Sequence, residues 1–323
     1  MALPRVLVTR RLPDAVEQHL AAHFDATFSP DDRPLEPNQL ARTMRDYDAL
    51  CPTITDRLNA EILGVADAKV RIIANFGAGV DHVDLAAARA AGIVVTNTPD
   101  VLTEATAELA ILLMLMAARR GGEGEREVRA GEWSGWAPTH MIGQSIVGKT
   151  LGLVGFGRIA QTTAERARAG FGMKIAYYSR SRAPAEIEAK LDARYVPSLE
   201  ALAGEADILS LHTPGGAETR HLIDAALLAR MKPSAILVNT ARGTVVDEAA
   251  LAEALAERRI AAAGLDVYEK EPQVHPALLQ LENAVLLPHL GSATIETRVA
   301  MGMRAAANLE AYFDSREPRD RVA

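Results

Sequence analysis

Short apolar runs recur along the chain and alternate with longer stretches whose apolar residues fall on one helical face. In the first part, the runs at 5–9 (RVLVT), 24–28, 47–51, 70–74 and 93–96 read as strands. Helices are predicted at 13–23, with Pro13 near its start, at 56–63, with Asp56 as its cap, and at 85–91, closed by Gly92. The segment 29–38 (SPDDRPLEPN) holds three prolines and reads as a loop. Residues 103–120 form a helix so evenly apolar that it is buried on most sides, and Gly121-Gly122 end it. Residues 123–148 read as polar and irregular. A second alternating block then sets strands at 151–154, 174–178, 208–212, 236–239, 263–265 and 285–287, with helices between several of them, such as 247–258. A last helix covers about 293–313.

Strand–helix alternation predicts α/β architecture with two doubly wound parallel-sheet domains. The last helix follows the final strand and has nothing of its own block to pack on. It is therefore expected to return to the first block. That makes one domain discontinuous, 1–101 with 291–323, and leaves 102–290 as the inserted domain. The length of 323 residues allows two cores, and 49% apolar with 24% charged residues is ordinary for a globular protein. A net charge of −7 argues against nucleic acid or an anionic membrane as partner. The single cysteine, Cys51, excludes an internal disulfide and reads as a small buried hydrophobe. The longest apolar run, 109–118, is flanked by Glu108 and Arg119 and is too short to cross a bilayer. The first residues move directly into a strand, so a cytoplasmic protein is expected.

The chemistry centres on residues 149–168 (KTLGLVGFGRIAQTTAERAR). An apolar strand runs into Gly155-Phe156-Gly157-Arg158-Ile159-Ala160 and on into a helix, the pattern of a dinucleotide site. Gly155 allows the tight turn, Gly157 lets a pyrophosphate reach the backbone, and the helix N-terminus faces the phosphates. Four further segments stand out. Arg242 follows a buried strand and offers a planar fork of donors to a carboxylate and an adjacent carbonyl. Residues 265–272 (LDVYEKEP) hold three carboxylates after another strand, and His289 follows the last one. The closely spaced glycines of Gly77-Ala78-Gly79 expose backbone N–H groups suited to an anion. Together these suit hydride transfer between a nicotinamide and a 2-oxo or 2-hydroxy acid. Arg242 would polarise the carbonyl, and His289, beside a carboxylate, would protonate it.

Five motifs in order, GAGVDHVD (77–84), VGFGRIA (154–160), NTARGTVVDE (239–248), LDVYEKEP (265–272) and PHLGSAT (288–294), resemble the D-isomer-specific 2-hydroxyacid dehydrogenase family over nearly the whole chain. The resemblance implies a Rossmann-type cofactor domain inserted in a flavodoxin-like substrate domain. It places the catalytic arginine, glutamate and histidine on Arg242, Glu271 and His289. Glu271 is preferred to Glu269 because it directly precedes proline. Asp266 corresponds to an aspartate near the nicotinamide carboxamide, and Pro214, Thr240 and Gly291 to other cofactor-lining positions. Ala78, Gly79, Arg242, His289 and Ser292 correspond to substrate-binding positions. No metal enters this reading.

Within the family the similarity is closest to the glyoxylate/hydroxypyruvate reductases, which act on small 2-oxo acids. In those enzymes a tryptophan of the loop matching WSGWAP (133–138) reaches the partner subunit's substrate site. Trp136 is the better match, although it could simply pack a homodimer interface; residues 103–148 resemble the dimerisation arm. At the end of the second strand of the cofactor domain stand Ser179-Arg180-Ser181-Arg182, where NAD-preferring proteins carry an acid. This predicts a preference for NADP(H), with NAD(H) also possible if Arg180 only stacks on the adenine. A 2-ketogluconate reductase, a D-3-phosphoglycerate dehydrogenase or a dinucleotide-sensing corepressor are the alternatives.

Overall fold

The computed structural model describes residues 2–323. The chain forms two compact units. The first runs to Leu102 and resumes over Ser292–Ala323; the second is Thr103–Gly291.

In the first unit, β1 (Arg5–Val8), α1 (Asp14–His23), β2 (Asp25–Phe28), α2 (Pro37–Asp46), β3 (Ala49–Cys51), α3 (Ala60–Leu63), β4 (Ile72–Ala74), α4 (Leu85–Ala90) and β5 (Val94–Thr96) alternate. Their sheet has the order β2-β1-β3-β4-β5, all parallel, which is the flavodoxin-like order. In the second unit, α5 (Thr103–Ala118) and α6 (Gly121–Ala130) precede β6 (Thr150–Val154), α7 (Arg158–Phe171), β7 (Lys174–Tyr178), α8 (Ala185–Leu191), β8 (Ala193–Tyr195), α9 (Leu199–Glu205) and β9 (Ile208–Leu211). There follow α10 (Ala225–Leu228), β10 (Ile236–Asn239), α11 (Glu248–Ala256), β11 (Ala262–Leu265) and β12 (Ala284–Leu286). The seven strands order as β12-β11-β10-β9-β6-β7-β8, again all parallel. The strand order reverses between β6 and β9, and the Gly155–Gly157 turn leaves β6 at that switch point, where ligands of such sheets bind. The last helix, α12 (Ile295–Phe313), belongs to the first unit and packs on α1 and β4.

Each sheet separates two apolar cores. Val6, Val8, Ile72, Met301 and Leu309 lie in one core of the first unit, and Leu50, Leu58, Ile73 and Val95 in the other. Helix α5 is buried along Ala107, Ala110, Leu113 and Met114, as its even apolarity requires. It approaches β11 so closely that a Cβ on Gly264 would stand 2.9 Å from the Leu113 Cβ. Cys51 is buried and free, and burial pushes its thiol up to about 12. No helix among the described residues is long and apolar enough to cross a membrane.

Four local expectations fail for physical reasons. The helix predicted at 56–63 begins only at Ala60, capped by the Asn59 side chain on the Ile62 amide. Asp56 is instead fully buried, where its carboxylate accepts the Thr9 hydroxyl at 2.6 Å and the Thr53 amide at 2.9 Å, tying the end of β1 to the end of β3. Helix α2 was hidden in the proline-rich segment: Pro37 is its first residue, and Gln39 Oε1 accepts from the Glu36 amide at 2.8 Å. Gly121-Gly122 do not open an irregular stretch but form the first turn of α6; the break lies one residue earlier, at Arg120, whose φ is 54°. Strand β8 has no apolar run to announce it, being three residues long with only Ala193 buried.

The α1–α12 contact depends on Gly302, where an added Cβ would stand 2.5 Å from both Val16 methyl carbons. Gly302→Ala should therefore destabilise the first unit by about 1–3 kcal/mol, read from denaturant unfolding. Unchanged stability would mean that the helices can separate without cost.

Candidate active site

The second unit gathers three strand-end loops. After β10, the Asn239 side chain folds the turn: its Nδ2 donates to the Arg242 carbonyl at 2.9 Å and its Oδ1 accepts from the Ala241 amide at 3.0 Å. Arg242 Nη1 donates to the Ala241 carbonyl at 2.8 Å. The next residue is glycine by necessity, since a Cβ on Gly243 would stand 1.8 Å from the Tyr268 carbonyl carbon. The arginine loop is thus seated directly on the backbone of the loop after β11.

That second loop carries Glu271. Its Oε1 accepts from the Tyr268 amide at 3.0 Å, and its Oε2 accepts from His289 Nδ1 at 2.7 Å. Tyr268 is itself buried, with its hydroxyl donating to the Leu287 carbonyl at 2.9 Å. Burial pushes the Glu271 carboxyl up, but the hydrogen bonds and charge of His289, the Tyr268 amide and the Arg242 guanidinium together hold it below its ordinary value. An ionised carboxylate can only accept, so Nδ1 carries a hydrogen and Nε2 is the nitrogen left for chemistry. Of the two glutamates, Glu271 is the one that pairs with His289. Glu269 turns away to His221, 3.0 Å from its Oε1, and to the amide of Glu248.

The third loop follows β12 and carries His289 at a φ of 55°, in the left-handed region. Asp266 holds it there. The Asp266 carbonyl accepts the His289 amide at 2.9 Å, Oδ1 accepts the Leu290 amide at 2.6 Å, and Oδ2 accepts the Gly291 amide at 2.8 Å. Thr106 Oγ1 adds a bond to the Gly291 carbonyl at 2.9 Å. Burial pushes the Asp266 carboxyl well above the ordinary range, against the opposing pull of those two amides and of His289.

The glycine turn after β6 fits a dinucleotide. Gly155 has a φ of 86°, and its Cβ would lie 2.7 Å from the His212 carbonyl oxygen, so both conformation and packing demand glycine. At Gly157 a Cβ would meet nothing within 4 Å. No protein neighbour demands glycine there, whereas a ligand lying against the backbone would. Gly157 caps α7 without a side-chain acceptor, and Arg158 and Ile159 open its first turn, the end of a helix at which phosphates bind. The hydroxyls of Thr240 and Thr213 are buried without a partner in the structure. Thr240 was singled out from the sequence; Thr213 was not, although it follows β9 and directly precedes Pro214. Ser179 donates to the Ser181 carbonyl. Arg180 pairs with Glu218 at 2.6 Å, both side chains being about four-fifths exposed, and Arg182 is clamped by Glu188 at 2.7 and 2.9 Å.

In the first unit, the carbonyls of the glycine-rich turn after β4 are all engaged: those of Gly77 and Gly79 by Asn75 Nδ2, and that of Ala78 by Asn97 Nδ2. Among the described residues, the amides of Ala78 and Gly79 have no protein acceptor. Ser292 opens the returning segment, and its carbonyl accepts the Thr294 amide. Trp136 lies in an irregular stretch and is 83% exposed.

Comparison with known proteins accords with this geometry. The model of the D-isomer specific 2-hydroxyacid dehydrogenase NAD binding domain matches residues 111–291. A glyoxylate reductase of Thermococcus onnurineus is 44% identical over 319 residues, covering 98% of this chain and 94% of that protein. The crystal structure of a glyoxylate reductase from Paecilomyes thermophila superposes with a TM-score of 0.88 at 35% identity, over 100% of this chain and 99% of that one. An NADPH-dependent glyoxylate/hydroxypyruvate reductase from Sinorhizobium meliloti, solved with NADP and malonate, gives 0.88 at 38% identity, over 100% and 97%. Full-length likeness at this level, together with five motifs in order, settles the family: the chain is a D-isomer-specific 2-hydroxyacid dehydrogenase.

Proposed function

We propose that this enzyme reduces small 2-oxo acids, glyoxylate and hydroxypyruvate first, to the corresponding 2-hydroxy acids. The observation that carries the reading is the 2.7 Å contact of Glu271 with His289 Nδ1, set beside Arg242 at the carboxyl ends of parallel strands. The residues around Gly157 and the partnerless Thr240 hydroxyl fit a nicotinamide dinucleotide, which when bound supplies the hydride. In this mechanism Ala78 and Gly79 donate their amides to the substrate carboxylate, with Ser292 contributing from the returning segment. The Arg242 guanidinium faces the 2-oxo oxygen and stabilises the negative charge that grows there. His289, protonated on Nε2, delivers a proton to that oxygen as the charge develops. Glu271 stabilises the imidazolium from the Nδ1 side and fixes the ring's orientation. Asp266 keeps the His289 backbone in its left-handed turn, and Asp266, Pro214 and Gly291 line the nicotinamide end.

NADP(H) is the proposed preferred cofactor, since no carboxylate occupies position 179 and the S. meliloti relative is described as NADPH-dependent. Arg180 is the better phosphate ligand of the two arginines. Its exposed pair with Glu218 contributes little and can be exchanged, whereas Arg182 is held by a carboxylate that also accepts the Tyr177 hydroxyl. The exposed apolar side chains of the 103–148 segment, among them Leu112, Val128, Ile142 and Val147, support a homodimer built on this arm, with Trp136 directed to the partner's site.

Four sets of outcomes are expected. Initial rates of hydroxypyruvate and glyoxylate reduction should be higher with NADPH than with NADH, and Ser179→Asp/Arg180→Ile should reverse the order; equal rates in both proteins would discard the cofactor reading and keep the chemistry, and no turnover of either acid would remove the substrate assignment. His289→Asn should cut kcat by a factor on the order of 10²–10⁴ with cofactor binding kept, and Arg242→Ala should raise KM and lower kcat together. Glu271→Gln should lower kcat with KM little changed, because the His289 ring loses the ionised acceptor on Nδ1 that orients it; an unchanged kcat would deny Glu271 that role. Trp136→Ala should raise KM while sedimentation still shows a dimer; a monomer with intact kinetics would make the tryptophan an interface residue only.

A further inference from the structure

Away from the site, α1 and α12 bring together three potential metal ligands. His19 and His23 stand one turn apart on α1, and their rings stack with centroids 4.3 Å apart. Glu310 projects from α12, with its Oε1 2.6 Å from His19 Nε2. One ligand-capable atom from each of the three residues lies within 4.8 Å of the others. His19 and Glu310 are part-buried, and His23 is exposed.

We propose that His19, His23 and Glu310 bind a divalent transition-metal ion, with Zn²⁺ as the best match to two imidazoles and one carboxylate, and with water completing the shell. An ion pair between His19 and Glu310 gives the Nε2 of His23 no part; a metal uses all three residues. The His23 tautomer is already set for it. Its Nδ1 faces the His19 carbonyl at 2.8 Å, and a carbonyl only accepts, so the hydrogen is on Nδ1 and Nε2 keeps its lone pair. Ligands about 2.0–2.2 Å from Zn²⁺ in tetrahedral array stand roughly 3.4 Å apart, so the exposed His23 ring has to turn inward to bring Nε2 into the shell.

The ends of both helices favour a cation here. Val16 meets Gly302, His19 meets Glu310 and Phe24 meets Phe313 at 6.0 Å between ring centroids, so the helices run parallel and end side by side. Helix α1 ends at His23 and α12 at Phe313, and both therefore turn the negative ends of their dipoles toward the cluster. The close Gly302–Val16 packing also fixes the backbones that carry the ligands, so the site is largely preformed. Bound metal would clamp together two helices that lie far apart in sequence.

The test is calorimetric titration of Zn²⁺ into tag-free, chelator-stripped full-length protein, with Co²⁺ visible absorption as a second readout. One ion per chain is expected, together with Co²⁺ bands of a nitrogen/oxygen site. His23→Ala and Glu310→Gln should each weaken Zn²⁺ binding by at least about tenfold and abolish the bands, while His289→Asn should leave both unchanged. His23 is exposed, so its variant is expected to fold, and circular dichroism confirms this. No Zn²⁺ binding by the wild type, undiminished binding by the His23 and Glu310 variants, or loss confined to His289→Asn would each overturn the proposal. Reduction of 2-oxo acids should proceed at the wild-type rate in His23→Ala, so this test stands apart from that of the catalytic reading.

Discussion

A buried carboxylate that accepts two amides holds the catalytic end of the second unit together. Taking Asp266 out of water is unfavourable, and burial pushes its carboxyl toward the protonated form. The Leu290 and Gly291 amides offset that cost at 2.6 and 2.8 Å, and in doing so they force the chain after β12 into the turn that holds His289. The histidine's left-handed backbone is not a conformation its own side chain favours. It persists because Asp266 binds on both sides of the turn, through its own carbonyl and its carboxylate.

From this one residue the rest of the site follows by contact. The loop that begins with Asp266 continues to Tyr268, whose amide orients Glu271 and whose carbonyl leaves no room for a side chain on Gly243. Arg242 is therefore placed by the same loop that places Glu271. The order of charge in the cluster is set by environment rather than residue type. Two carboxylates stand near one imidazole. The one hydrogen-bonded to it is held ionised, while the more deeply buried one is pushed toward neutrality. Guanidinium, acid and imidazole follow one another on the ends of the neighbouring strands β10, β11 and β12.

How much of this the sequence discloses depends on the range of the signal. Strand–helix alternation, a strand–glycine–helix turn and a run of five motifs are local patterns, and both sheets are found in the chain as that alternation predicts. The pairing of Glu271 rather than Glu269 with His289 was accessible only through the proline that follows it. The orientation of Asp266 was not accessible at all, because its partners lie about two dozen residues away across two strands. Asp56 shows the same limit. Its position invited a helix cap, but the long-range bond from Thr9, joined by the Thr53 amide, took the carboxylate instead. Helix α2 shows the opposite limit: a proline-rich segment reads as a loop, yet Pro37 occupies the first turn of a helix, where proline is tolerated.

The seat of α12 bears on the order in which the chain can assemble during synthesis. Residues 295–313 supply Met301, Ala305, Ala306 and Leu309 to a core whose other members include Val6, Val8 and Ile72. A ribosome releases the first five strands long before it releases that helix, and the sheet face that α12 shares with α1 stays only partly covered while the entire second unit is made. The inserted unit can thus mature first, and the unit that begins the chain closes last.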